Sequence, residues 1–316
     1  MRFLQLPILL IWMAMIVACM PDTESDYERI VERDNRLLQN YLERNSVNAI
    51  ESPLGFYYQK TQTSDIGNQI VNNDIVGVYY EIKTTDGQLI ETYMDESKLP
   101  RLFKHTDGGL IPRVINFAAG IAKEGEVLKL YSPSYLAYSE YSFEQLITVG
   151  ANLVITVKYA KVYPESAVKT LERGIIESYI AENNLEGFER LSDGVFIKVL
   201  GEGEGEKVSK ANDNVSFEFE LKQLGESTVI SKSNENSPFT SRIGAQGNLK
   251  FLDVALKDVK VGQEVEVFVP SHEGFGGSTQ IFPFAIRRDL FSRNAISVAA
   301  RPFEPIYFKA KIKEIK

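Results

Sequence analysis

"LYSPSYLAYSEY" spans residues 130–141, and "VFVPSHEGFGGS" spans residues 267–278. Each reads as the end of a strand that runs through a proline, Pro133 or Pro270, into a tight loop tipped by an aromatic, Tyr138 or Phe275. Proline gives no N–H to a ladder, so in this position it closes a strand. The spacing between the two stretches is 137 residues, and Gly125 and Gly262 share it. Further upstream, Gly55 and Gly194, Val76 and Val215, and Tyr80 and Phe219 are paired at 139 residues.

Around these anchors the whole plan repeats. Alternating strands "VGVYYEI" from Val76 and "VSFEFEL" from Val215 open each unit, and "NLVITVKYAKV" and "PIYFKAKIKEI" close it. Tyr27, Ile30, Val31, Leu37, Leu38, Tyr41 and Leu42 recur at helical steps before the first unit. Val168, Leu171, Ile175, Ile176, Tyr179 and Ile180 do so before the second. The chain is therefore an internal duplication of helix and β-rich unit, an α+β plan with an antiparallel sheet and a short helix on one face. The segments read as an export signal (1–19), tether and amphipathic helix (20–47), first unit (48–163), linker helix (164–184) and second unit (185–316). The leading helices serve either to form a homodimer or to pack on the sheet that follows, because an apolar stripe suits both.

The second unit carries an addition. Tyr138 to Ile155 is 17 residues, whereas Phe275 to Phe308 is 33, which marks 277–300 as an insert. Its Ile281, Phe282, Phe284, Ile286, Leu290 and Phe291 are expected beside the second unit's own pocket, as a packed lid or as a surface for a client.

At 316 residues with 44% hydrophobic and 25% charged content, two soluble domains are expected. A net charge of -8 without clustered Lys and Arg argues against nucleic acid as a partner. The N-terminal apolar run, interrupted by Pro7, suits an export signal better than a membrane span. "IVAC" at 16–19 resembles the lipobox of bacterial lipoproteins, which implies cleavage before Cys19 and its acylation. Cys19 is the single cysteine, and acylation accounts for a lone thiol in an exported chain. The expectation is a lipid-anchored protein of the periplasm or outer membrane of a Gram-negative cell.

Only two histidines occur, His105 and His272. No GxSxG elbow accompanies them, and a histidine–cysteine zinc site lacks ligands. "GEGEGE" at 201–206 opens no helical pattern and reads as an exposed loop, not a phosphate cradle. Neither a metal nor a cofactor is expected.

The ordered set "VYYEIKTTDGQLIET", "GLIPRVINFAAGIAKEG", "LKLYSPSYLAYSE" and "ANLVITVKYAKV" resembles the FKBP-type peptidyl-prolyl isomerases, and a second set follows over about 185–316. With the anchor and leading helices, the chain is similar to the FKBP-type lipoproteins of Bacteroidetes. The resemblance implies two tandem domains, each a bent antiparallel sheet around a short helix with an apolar pocket for proline. It implies catalytic roles for Tyr80, Glu91 and Tyr138, with Ile111 as backbone donor and Ile90, Val114 (or Ile115) and Ile155 as pocket wall. In the second unit Phe219, Leu252, Phe275 and Phe308 fall on pocket positions and Ser231 near the acid, so both tyrosine hydroxyls are missing there. Activity is thus expected in the first unit, on proline-containing unfolded or envelope proteins. The alternative is a non-catalytic chaperone or scaffold on the same fold.

Overall fold

The computed structural model describes residues 25–233 and 236–316. The export run and Cys19 lie outside the described residues. Helix α1 (Asp26–Arg44) starts in a capping box: Glu28 N–H donates to Ser25 Oγ at 3.2 Å, and Ser25 N–H donates to Glu28 Oε2 at 2.8 Å. Leu38 and Leu42 pack on Tyr131 of the first sheet, while Tyr27 and Leu37 of the expected stripe face solvent. The helix is fastened by a buried acid. Asp34 Oδ2 accepts the Ser134 N–H at 2.8 Å, and Arg33 Nη2 donates to Asp34 Oδ1 at 2.7 Å.

The first sheet comprises β1 (Ile50–Glu51), β2 (Tyr57–Gln62), β3 (Ile75–Thr84), β4 (Leu89–Tyr93), β5 (Arg101–Lys104), β7 (Val127–Ser132) and β8 (Leu153–Tyr163). Its order is β1-β2-β7-β8-β3-β4, with β5 also on β3, and every pairing is antiparallel. Strand β6 (Leu110–Ile111) leads into helix α2 (Arg113–Ala119). That helix buries Val114, Ile115, Ala118 and Ala119 against the inward residues of β3, β7 and β8. Tyr159 Oη donates to the Ile115 carbonyl at 2.7 Å and ties α2 to β8.

Helix α3 (Glu165–Glu182) joins the two units by packing on both. Val168 meets Ile75 and Leu102 of the first, and Ile176 meets Phe196 and Phe268 of the second. In the second unit β9 (Glu189–Arg190), β10 (Phe196–Leu200), β11 (Asn214–Gln223), β12 (Val229–Lys232), β13 (Phe239–Arg242), β14 (Glu264–Val269) and β16 (Ile306–Ile315) form the sheet, with helix α4 (Lys250–Ala255) before β14. The order β9-β10-β14-β16-β11-β12, with β13 on β11, reproduces the first sheet strand for strand. The duplication read from the sequence is therefore a duplication of topology. Its turn glycines match as well: φ is +86° at Gly55 and +88° at Gly194, a region that penalises a Cβ.

The insert departs from expectation. It forms β15 (Gln280–Ile281) and helix α5 (Phe284–Ser292), and β15 pairs in parallel with β6 of the first unit. Ile281, Phe282 and Ile286 belong to the first unit's core, and Phe291 alone of the six expected apolar residues lines the second pocket. The Ile111–Pro112 and Phe282–Pro283 peptide bonds are cis.

Candidate functional site

Because side chains alternate along a strand, β3 places Val76, Val78, Tyr80 and Ile82 on the face that meets α2. Antiparallel pairing then sets Glu91 of β4 opposite Ile82 and Arg101 of β5 opposite Val78, so both reach the Tyr80 hydroxyl. Tyr80 Oη donates to Glu91 Oε2 at 2.5 Å, and Arg101 Nη1 donates to the same oxygen at 2.7 Å. Arg101 also contacts the Tyr80 hydroxyl directly. Sequence reasoning named Tyr80 and Glu91 but missed Arg101, whose only signal is a basic residue on a strand that faces an acid.

Tyr138 follows the turn after Pro133 and is buried. Burial first, and the nearby Glu91 charge next, push its hydroxyl well above the usual tyrosine range. Burial does the same for Tyr80, against the opposing charge of Arg101. Both phenols thus stay protonated through the physiological range and act as donors, not bases. Ile90 and Ile155 are buried in the same core, as are Val114 and Ile115. The helix starts at Pro112 and Leu249 put Ile115 in register with Leu252, and Val114 in register with Phe251.

This first pocket holds a side chain of the same molecule. Phe282 is fully buried, with its ring stacked on Tyr80 at a centroid distance of 4.5 Å. Burial of a phenylalanine ring to this extent is worth about 1.5–3 kcal/mol. The Phe282 N–H donates to the Ile111 carbonyl at 2.9 Å, and Tyr138 Oη donates to the Phe282 carbonyl at 2.7 Å. Ile111, expected as a donor, thus also offers its carbonyl. Upstream, the Gln280 N–H donates to the Gly109 carbonyl at 2.9 Å, and Gln280 Nε2 donates to the Leu102 carbonyl at 2.9 Å. Downstream, the Arg101 guanidinium lies 3.8 Å from the Phe284 ring centre and Arg301 lies 4.2 Å from it.

The second pocket is open. A cavity of about 180 Å³ lies between β11, α4 and β16, and Phe219, Leu252, Phe275 and Phe308 all line it. Phe219 stacks on Phe308 at 5.8 Å, and Phe251, not singled out in the sequence, meets Phe308 edge-on at 5.1 Å. Phe239 of β13 stands half exposed beside Phe217 and Phe219. The polar side chains on the lining, among the described residues, are Ser231 and Ser297. Phe291 and residues 298–300 of the insert complete the wall. No group of histidine, cysteine and acidic residues among the described residues is arranged to hold a metal ion.

Residues 205–289 match the FKBP-type peptidyl-prolyl cis-trans isomerase family. The match lies within the second unit, and the first unit has the same strand order and helix placement as the second. No curated protein matches the chain. Solved structures similar to it include the three FKBP domains of wheat FKBP73, at 18% identity over 85% of this chain and 99% of that one, with a TM-score of 0.32. FkpA from Escherichia coli is similar at 17% identity over 47% of this chain and 61% of that one, with a TM-score of 0.35. A peptidyl-prolyl cis-trans isomerase from Pseudomonas syringae pv. tomato shares 18% identity over 50% of this chain and 99% of its own, with a TM-score of 0.34.

Proposed function

We propose that this chain is a peptidyl-prolyl cis-trans isomerase of FKBP type whose catalytic pocket is that of the first unit, with Tyr80, Glu91 and Tyr138 as its polar groups. The observation that carries this reading is that the pocket is built around an X-Pro segment, with the Tyr138 hydroxyl on the carbonyl that precedes Pro283. Rotation about an X-Pro bond breaks amide resonance against a barrier of about 18–20 kcal/mol. The twisted transition state has less charge separation than the planar amide, so an apolar pocket favours it, while Tyr138 holds the carbonyl in place. Glu91 and Arg101 orient the Tyr80 ring that forms one wall. The open second pocket, with Phe219 and Phe275 in place of the two tyrosines, supports a binding role for the second unit, holding apolar side chains of a client.

The remaining parts of the proposal rest on sequence. Lipidation at Cys19 would anchor the protein in the envelope of a Gram-negative cell, where unfolded envelope proteins are its clients. Proline-limited refolding of a model protein tests the enzymatic reading. Residues 22–316 accelerate the slow phase and Tyr138→Phe reduces the acceleration; a rate equal to that of buffer alone would remove the isomerase reading.

A further inference from the structure

The insert of the second unit crosses to the first and enters its pocket as a peptide would. Four contacts define the entry. β15 adds a parallel strand to β6, Phe282 takes the space over Tyr80, Tyr138 bonds the Phe282 carbonyl, and Phe284 lies under the Arg101 guanidinium. The segment is also gripped from behind. Arg287, itself buried, donates through Nη1 to the Val298 carbonyl at 2.9 Å and through Nη2 to Ser278 Oγ at 3.3 Å and to the Thr279 carbonyl. Tyr141 Oη of the first unit donates to Asp289 Oδ2 of α5 at 2.6 Å. The insert's two arms are thus tied together and latched to the first unit.

We infer that the first pocket is a recognition site for extended aromatic-Pro-aromatic segments, that residues 280–284 are its resident tethered occupant, and that a client enters only by displacing them. The inference rests on the reading of this pocket as the X-Pro site and names its ligand class and its regulation. Main-chain pairing with β6 supplies affinity that is blind to side chains. The pocket over Tyr80 selects the aromatic before proline, and Arg101 reads the aromatic after it by a cation–π contact. A tethered occupant competes at the effective concentration set by its linker, of the order of millimolar for short connections, so a free peptide must exceed that to bind the intact chain. Arg101 is in this view a specificity-determining residue.

The test is a titration of labelled Gln-Ile-Phe-Pro-Phe-Ala peptide into the wild-type chain and the Phe282→Ala variant. The variant binds it at least about tenfold more tightly than the wild type. Arg101→Ala in the Phe282→Ala background erases the preference over a peptide with alanine after proline. Equal binding to wild type and variant, or binding to neither, overturns the inference. Should the variant fail to fold, hydrogen exchange on the wild type decides. Excess peptide speeds exchange at the Gln280 and Phe282 amides and leaves the β3 amides unchanged; no peptide-dependent change at those two amides overturns the inference. Tight peptide capture by the variant without faster isomerisation sustains the inference and removes the isomerase reading. Accelerated refolding with no displacement of residues 280–284 does the reverse.

Discussion

Glu172→Gln should stabilise the protein at pH 8 and leave it unchanged near pH 4.5. Glu172 stands on α3 where Asp34 stands on α1, and each acid accepts the N–H of a serine in the turn after the strand-ending proline. Asp34 has Arg33 as a counter-ion, whereas Glu172 Oε1 has no hydrogen-bond partner among the described residues and His272 Nδ1 lies 3.9 Å from Oε2. Around that turn, Lys169 and Arg173 of α3 line the cleft that also holds His272 and Glu273. Burial foremost, with the Glu304 charge adding to it and the Ser271 bonds opposing it, raises the Glu172 carboxyl from 4.5 to about 7. Between those values the folded protein keeps a proton that the unfolded chain releases, so stability falls as pH rises through the window and stays lower above it. The difference corresponds to about 3 kcal/mol at pH 8. Glutamine retains an acceptor for the Ser271 N–H and carries no charge to desolvate. Denaturant unfolding of wild type and variant at pH 4.5, 6 and 8 reads the effect as a gap that widens with pH. A gap of the same size at all three values would refute the reasoning.

Asp34→Ala removes the acceptor of the Ser134 N–H from a buried site and should cost about 2–4 kcal/mol, visible as a lower denaturant midpoint and faster proteolysis of α1. Tyr138→Phe deletes a single bond to the Phe282 carbonyl and should cost about 1 kcal/mol or slightly more, with faster exchange in 280–284 than in β11. Phe308→Ala empties an aromatic contact shared with Phe219 and Phe251 and should destabilise the second unit by about 3–5 kcal/mol, while the first unit's exchange protection is unchanged. Cys19→Ser should abolish incorporation of labelled fatty acid and release the chain from the membrane fraction; retained label would contradict lipidation at this residue.

Much of the architecture was legible because local chemistry dictates it. Prolines at 133 and 270 close β7 and β14, and positive-φ glycines at 55 and 194 turn the chain into β2 and β10. Two-residue alternation in β3 and β11 sets which side chains face α2 and α4. The same alternation brought Phe219 and Phe308 together, since Leu221 pairs with Phe308 across β11 and β16 and Phe219 lies on the same face. The insert's destination was not legible. Its apolar residues signal burial but carry no address, and the partner surface arises only when α3 sets the two units side by side. Arg101 escaped for a related reason, because its role depends on β5 pairing with β3 rather than on any local pattern. The docking acids Asp34 and Glu172 were hidden too: a charged residue on a charged helix gives no sign that it faces inward.

The most direct test of the account is the cis–trans exchange rate of a Phe-Pro peptide, measured by NMR exchange spectroscopy with wild type, Phe282→Ala, and Phe282→Ala combined with Tyr138→Phe. Wild type should accelerate exchange slightly, Phe282→Ala should do so clearly more, and removal of the tyrosine hydroxyl should abolish most of that gain. Equal rates for all three proteins would contradict the account.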